Sequence, residues 1–163
     1  MPRQTVSLFL KLCIVSTVAI LLGGCMSSFT SSRFTDSENV KTGDVIPIFI
    51  ATSRRMNSDG SVTADLSPTT NYLMNLINIP KDHKTGQIER PSFGWESRKS
   101  HFTFVGQRVL DHDKFQAEIS AQLSGRVGAA RDILVYVHGY NTGYDEARFR
   151  LAQIATDSGF TGV

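Results

Sequence analysis

The sequence ILVYVHGYN, residues 133–141, is the stretch from which the fold of this chain is most readily predicted. Its first five residues are apolar or aromatic and include the β-branched Ile133, Val135 and Val137, a composition typical of a strand buried in a parallel sheet. The run ends at His138-Gly139 and is followed by turn residues. We therefore predict a buried strand over Asp132–Val137 that brings a loop to one edge of a sheet.

Three further strands are predicted before this one. The apolar run Ile46–Thr52, with Pro47 near its start, indicates the first strand, and alternation of apolar and polar residues indicates strands over Asn71–Ile79 and His101–Val105. Pro80 ends the second of them, and the polar, turn-rich residues 81–96 are expected to cross the surface.

Two helices flank the predicted buried strand. In the first, Phe115, Ile119 and Leu123 recur every four residues, Asp111 or Asp113 can cap the N-terminus, and Gly125 can end the helix. The second is predicted over Tyr144–Asp157 and is ended by Gly159. Its predicted inward residues are Tyr144, Ala147, Leu151 and Ile154 or Ala155. The element order predicts an α/β fold, with antiparallel strands leading into a parallel βαβ section.

The N-terminus has the pattern of a bacterial export signal. Arg3 and Lys11 give a positive start without any acid, and the apolar run Leu12–Leu22 is shorter than the roughly 20 residues of a membrane span. The run ends in Leu22-Gly23-Gly24-Cys25, which resembles a lipobox. The resemblance implies cleavage before Cys25, acylation of its sulfur and new amino group, and firm membrane anchoring.

Two other interpretations of this segment remain open: an ordinary signal peptide with an incidental Cys25, or an uncleaved anchor. Met26, which follows the cysteine, favours the outer membrane, facing the periplasm, by analogy with enterobacterial sorting. The predicted domains are a signal peptide over 1–24, a lipidated tether over 25–44, and a folded domain over 45–163.

Charge and cysteine content limit the classes of function and of site that this chain can have. The net charge of +2 comes from Arg3 and Lys11, so the remainder is neutral and does not indicate nucleic-acid binding. Cys13 and Cys25 are the two cysteines, so cleavage before Cys25 excludes an internal disulfide and a cysteine metal site. No spacing of histidines and acids predicts a metal, and we expect no cofactor.

Three segments resemble a bacterial family of α/β-hydrolase-fold proteins that are esterase- or lipase-like and largely of unknown function. These are residues 48–55, residues 79–92, and Val135–Asn141 with the helix that follows to Gly159-Phe160. The order and spacing of the three segments carry the resemblance, and together they span about residues 45–163. The resemblance implies a further core strand, a helix and a serine elbow, and later an acid and a histidine.

The expected serine elbow is not found in this sequence. There is no Gly-x-Ser-x-Gly, and the glycines around Ser124 are in the wrong frame. We therefore expect an incomplete, N-terminal part of a hydrolase domain, truncated naturally or by an interrupted reading frame, with no catalytic nucleophile, acid or base of its own.

The resemblance makes His138, Gly139 and Tyr140 candidates for an oxyanion hole. Gly139 would let the backbone turn sharply, the Tyr140 N–H would face the pocket, and His138 would orient the loop. The second N–H would come from the residue after the missing nucleophile. A loop histidine without a catalytic role remains the alternative for His138.

Other chemistry-bearing residues have simpler interpretations. Asp111-His112-Asp113 could be a carboxylate-oriented base, but a helix start is favoured. His83 and His101 are expected on loop or strand surfaces, and Trp95 beside Phe93 is expected to make a core or edge contact. Unless the substrate is anionic, ordinary solvated charges are expected at Arg54, Arg55, Arg148 and Arg150.

These inferences favour a lipid-anchored protein of serine ester hydrolase lineage that is itself inactive. Its expected partners are membrane lipid, through acylated Cys25, and an ester substrate in a full-length relative. The alternative is a non-catalytic envelope lipoprotein that acts as a binding or structural module, alone or as a dimer.

Overall fold

The computed structural model describes residues 44–163. The predicted signal peptide, the lipidation site Cys25, and the predicted tether apart from Asp44 lie outside these residues.

Three strands form one antiparallel sheet in the order β1-β2-β3. Strand β1 runs over Asp44–Met56, β2 over Val62–Ile79 and β3 over Thr103–Leu110. Helix α1 follows over His112–Leu123, then a short 3-10 helix over Gly128–Arg131, and helix α2 over Tyr144–Asp157. The α/β class and the antiparallel early strands are as predicted.

The two faces of the sheet carry different residues because side chains alternate along a strand. On one face, Ile48, Ile77 and Ile79 form the core with Phe149 and Ala152 of α2. On the other face, the ring of Phe115 in α1 packs against Phe49 and Tyr72, with centroid separations of 5.7 and 5.0 Å. Each helix therefore covers its own face of the sheet.

The hairpin between β1 and β2 folds back onto β3. Its turn contains Gly60, whose φ of 82° lies in the left-handed region that glycine adopts without strain. The side-chain amide of Gln107 in β3 donates a hydrogen bond to the Gly60 carbonyl at 2.7 Å. Two register irregularities in β1, on either side of Arg54, accompany the bend.

Element boundaries agree best where capping residues mark them. Helix α2 has the predicted bounds, and Asp111 caps α1 by accepting a hydrogen bond from the Lys114 N–H at 2.8 Å. Strand β2 begins at Val62 rather than at the predicted Asn71. The prediction missed its first part because those residues are mostly exposed and polar and show no apolar alternation. Strand β3, at Thr103–Leu110, begins and ends later in the chain than the predicted strand over His101–Val105.

The prediction of a buried strand over Asp132–Val137 is wrong in this structure. The segment is not a strand, and Ile133, Val135 and Val137 are 52%, 76% and 86% exposed. The reason is that a strand needs neighbours. Between Ile133 and Val137 the described backbone makes one hydrogen bond, from Leu134 N–H to the Val163 carbonyl, and Val163 N–H returns one to Asp132. This pattern is that of parallel pairing, but it extends over a single residue of the opposite segment.

The predicted inward face of α2 also differs from the observed one. Tyr144, Ala147, Leu151, Ile154 and Ala155 are only half-buried. The buried residues are Arg148, Phe149, Ala152 and Gln153. The helix turns this face inward because the Arg148 guanidinium stacks on Phe104 of β3, with 4.2 Å to the ring centroid.

Candidate functional site

The loop from His138 to Gly143 joins the extended segment to α2. A hydrogen bond from Thr142 N–H to the Gly139 carbonyl, at 3.4 Å, closes a four-residue turn. Asn141, at the third position of this turn, has a φ of 60°, a conformation that asparagine tolerates better than most residues. The left-handed residue of the loop is thus Asn141, whereas Gly139 lies at the first position of the turn without a positive φ.

Arg54 attaches this loop to the sheet. Its Nη2 donates a hydrogen bond of 2.8 Å to the Thr142 carbonyl, across 88 residues of sequence. The position of Arg54 is itself fixed, since its N–H donates to Thr52 Oγ1 and its carbonyl accepts from Asn71 Nδ2. Arg54 was expected to be an ordinary solvated charge, and its contact with the loop corrects that expectation.

The three oxyanion candidates lie together at the exposed side of this turn. Tyr140 is fully exposed, and its N–H donates no hydrogen bond within residues 44–163. The His138 Nδ1 lies 3.0 Å from the Gly139 carbonyl oxygen, so the ring contacts its own loop. The turn thus presents a backbone donor, and the described residues leave it open to water.

A buried polar cluster supports the N-terminal half of α2. Arg148 is 6% exposed, its Nη1 donates to Asn75 Oδ1 at 2.8 Å, and its Nη2 pairs with Asp145 Oδ1 at 2.8 Å. The Tyr144 hydroxyl donates to the same Asn75 oxygen at 3.5 Å. Arg148 was expected to be solvated, so its burial is a second correction. Arg150 lies nearby and bonds Gln153.

Burial dominates the electrostatics of this cluster. It lowers the pKa of Arg148 from its ordinary value, while the neighbouring Asp145 carboxylate opposes the shift. Burial also raises the pKa of the Tyr144 hydroxyl. The Arg148 guanidinium and the Tyr144 hydroxyl both donate hydrogen bonds to Asn75 Oδ1.

His83 is the main polar site that the sequence did not indicate. It was expected on the surface, but its side chain is 10% exposed and lies between Glu89 and Asp157. Asp157 follows His83 by 74 residues, so no local spacing could have indicated the contact. His101 is half-buried and accepts a hydrogen bond from the Ser97 N–H.

Two further expectations on side chains have clear outcomes. Trp95 and Phe93 are 94% and 99% exposed, so the predicted core or edge contact is wrong. The loop that carries them turns at Gly94, whose φ is 85°. Asp111-His112-Asp113 is the helix start that was favoured, with His112 bonded to Asp113 on the surface.

Three classes of feature are missing from the part of the chain that the structure describes. No histidine between residues 44 and 163 is hydrogen-bonded to a serine or threonine hydroxyl. No group of three or more His, Cys, Asp or Glu residues over the same range could hold a metal ion. Neither described helix is long and apolar enough to span a membrane.

Comparison with known proteins places part of the chain beside a protein family. No curated protein and no solved structure is significantly similar to the chain. Residues 111–163 match a family described as alpha/beta hydrolase of unknown function (DUF900). The matched region begins at the cap of α1 and includes the extended segment, the candidate loop and α2. This part of the chain is therefore similar to an α/β hydrolase, in agreement with the observed mixed α/β architecture.

Proposed function

We propose that the turn at His138–Gly143 is an oxyanion-hole element in a protein of serine ester hydrolase lineage. The observation that carries the proposal is the Tyr140 N–H, which has no partner in the described residues and belongs to a turn held by Arg54. In acyl transfer such an amide stabilises the negative charge that develops on the substrate oxygen, and losing one donor costs roughly 2.7–4 kcal/mol in studied hydrolases.

The chain as given is proposed to be inactive toward esters. A single exposed donor cannot replace a nucleophile and its base, and the sequence contains no Gly-x-Ser-x-Gly. The ester substrate is therefore proposed for a longer relative, in which a serine elbow would supply the second amide of the oxyanion hole.

Turnover of p-nitrophenyl esters by the purified chain tests this proposal. We expect hydrolysis at the rate of buffer alone, measured beside heat-denatured chain and an active serine esterase. Turnover that a serine-reactive phosphonate abolishes would contradict the proposal, because it would require a nucleophile within these residues. Sequencing the gene beyond codon 163 tests the lineage: a serine elbow in either the same or a shifted frame supports it, and a stop without any such remnant contradicts it.

A second proposal concerns the N-terminus, where Leu22-Gly23-Gly24-Cys25 supports lipid anchoring through Cys25. We propose that the mature chain begins at Cys25, carries acyl chains, and lies on the periplasmic side of the bacterial outer membrane. Combined with an inactive domain, this anchoring is also compatible with a non-catalytic envelope module.

Metabolic labelling with palmitate separates lipidation from an ordinary signal peptide. The wild-type chain should take up label and partition into the detergent phase, whereas Cys25→Ser should do neither. Cys13→Ser is the matched control and should behave as wild type, since Cys13 lies in the segment removed by cleavage. Equal labelling of wild type and Cys25→Ser would contradict the proposal.

A further inference from the structure

His83 is held by two carboxylates from different parts of the fold. Its Nδ1 lies 2.9 Å from Glu89 Oε2, in the same loop, and its Nε2 lies 2.8 Å from Asp157 Oδ1, at the last residue of α2. The ring packs nearly perpendicular to that of Phe102, which is fully buried, with a centroid separation of 5.0 Å. Both ring nitrogens are therefore committed, and little of the ring contacts water.

This geometry depends on the proton of the imidazole. A neutral imidazole donates from one nitrogen only, whereas an ionised carboxylate only accepts. With His83 neutral, one nitrogen lone pair would face a carboxylate oxygen at hydrogen-bond distance. With His83 protonated, both contacts are charge-assisted hydrogen bonds, which are the stronger kind.

The same carboxylates also hold the backbone of the loop. Asp157 Oδ2 accepts a hydrogen bond from the Gly86 N–H at 2.8 Å, and Glu89 Oε1 accepts one from the Lys84 N–H at 2.8 Å. Gln153, one turn earlier in α2, also donates to Asp157. A carboxylate at the C-terminal end of a helix is electrostatically unfavourable on its own, and a neighbouring cation offsets this.

We propose that His83 is a protonation-dependent latch that docks residues 83–87 onto the C-terminal end of α2 and releases them when its imidazole loses the proton. The proposal does not depend on the proposed hydrolase function. It concerns residues 83–87 alone, because Ile88 packs on the core and residues 89–90 are hydrogen-bonded to Phe102 without the help of His83.

The electrostatics agree with the geometry. Burial alone would lower the pKa of His83, but the hydrogen bonds and charges of Glu89 and Asp157 outweigh it and hold that pKa above the ordinary 6.5. The backbone N–H of Gly86 and the neighbouring Gln153 and His83 lower the pKa of Asp157. For Glu89, burial is outweighed by His83 and the Lys84 N–H, so its pKa also falls below the ordinary value. Glu89 and Asp157 are the charged groups that act on His83.

The sign of the pH dependence follows from these directions. Because the pKa of His83 is raised on folding, its contribution is complete below pH 6.5 and is lost as the pH rises through the folded pKa. The contribution of the two carboxylates is complete above the ordinary Glu value of 4.5 and is lost as the pH falls through their lowered pKa values. The latch is therefore closed in mildly acid solution and opens on the alkaline side.

Amide hydrogen exchange in the full chain tests the latch. Between about pH 6 and about pH 9, after correction for intrinsic exchange, protection of the Gly86 and Lys84 amides should fall, because the pKa of His83 is raised above its ordinary value. The amide of Ile77, in the centre of the sheet, reports global opening and should change much less. The His83 ring proton resonance should titrate above the ordinary histidine value.

Variants give the decisive contrast. In His83→Gln the protection of Gly86 should be low and independent of pH, whereas His112→Gln, which changes a surface histidine that also contacts a carboxylate, should behave as wild type. Asp157→Asn should move the loss of protection to lower pH. This variant keeps the proposal testable if His83→Gln does not fold. Flat wild-type protection, or a pH dependence that survives in His83→Gln, would overturn the proposal.

Discussion

Two stretches of this protein are rich in apolar residues but have opposite surroundings. Residues Leu73–Ile79 of β2 lie between β1 and β3, and even Asn75 and Asn78 are fully buried there. Residues Ile133–Val137 are more apolar, yet their β-branched side chains are mostly exposed. The difference lies in the neighbours: β2 is hydrogen-bonded along both edges, whereas the second stretch makes one backbone bond.

The comparison teaches that apolar content predicts which residues can be buried, but not whether a partner buries them. In β2, backbone pairing fixes the direction of each side chain, and α1 and α2 then cover the two faces. Beside Ile133–Val137, the described residues provide only Val163. Of the four strands predicted from the sequence, the segment that follows the strand pattern most closely is therefore the least buried.

Substituting one isoleucine in each stretch is the strongest test of this contrast. Ile77→Ala should lower the free energy of unfolding by about 2–5 kcal/mol, because Ile77 is fully buried and its loss leaves a cavity. Ile133→Ala should cost less than about 1 kcal/mol because half of that side chain is already exposed. Urea unfolding of the two variants measures the difference. Equal costs would mean that Ile133 is buried in solution.

Arg148 provides a smaller contrast within α2. Arg148→Ala should cost about 2–3 kcal/mol, since it leaves Asn75 and Asp145 without their charged partner in a buried site. Arg150→Ala, two residues away, should cost less than about 1 kcal/mol. Thermal or urea unfolding checks both. If Arg148→Lys restored full stability, neither the simultaneous contact with Asn75 and Asp145 nor the stacking on Phe104 would require the guanidinium.

Arg54 tests whether the candidate loop is held from the sheet. In Arg54→Ala the Thr142 amide should exchange roughly tenfold faster, because the turn loses one hydrogen bond from a charged group to the Thr142 carbonyl. The free energy of global unfolding should change little. Arg55→Ala is the matched control, because Arg55 is exposed. Unchanged exchange at Thr142 in the Arg54 variant would mean that the loop holds its shape alone.

Trp95 gives the smallest and simplest test. As the single tryptophan, at 94% exposure, it should emit at the wavelength of free tryptophan and be quenched fully by iodide or acrylamide. Its emission should change little when urea unfolds the sheet. A blue-shifted, protected emission would instead support the contact predicted from the sequence.

Local signals in the sequence determined how much could be predicted. The bounds of α2 agree because Gly143 and Gly159 flank a periodic segment, and Asp111 caps α1 for the same local reason. The first half of β2 was missed because hairpin pairing holds polar, exposed residues that show no apolar alternation.

Contacts between distant residues explain what could not be predicted. His83 meets Asp157 across 74 residues, and Arg54 meets Thr142 across 88. The prediction of which α2 side chains face inward rested on hydrophobicity, which favours Leu151 over Arg148. Stacking on Phe104 and hydrogen bonding to Asn75 bring the arginine inward instead. No such pairing can be read from one sequence.

The bond between Gln107 and Gly60 has a practical consequence for protein engineering. A hairpin tip is often chosen as the place for an epitope tag or a fluorescent insert, but here the tip is hydrogen-bonded to β3. A tag at residues 57–61 would break this hydrogen bond and disturb the sheet edge. The loop at Phe93–Trp95, with nothing near Gly94, is the better place for an insert.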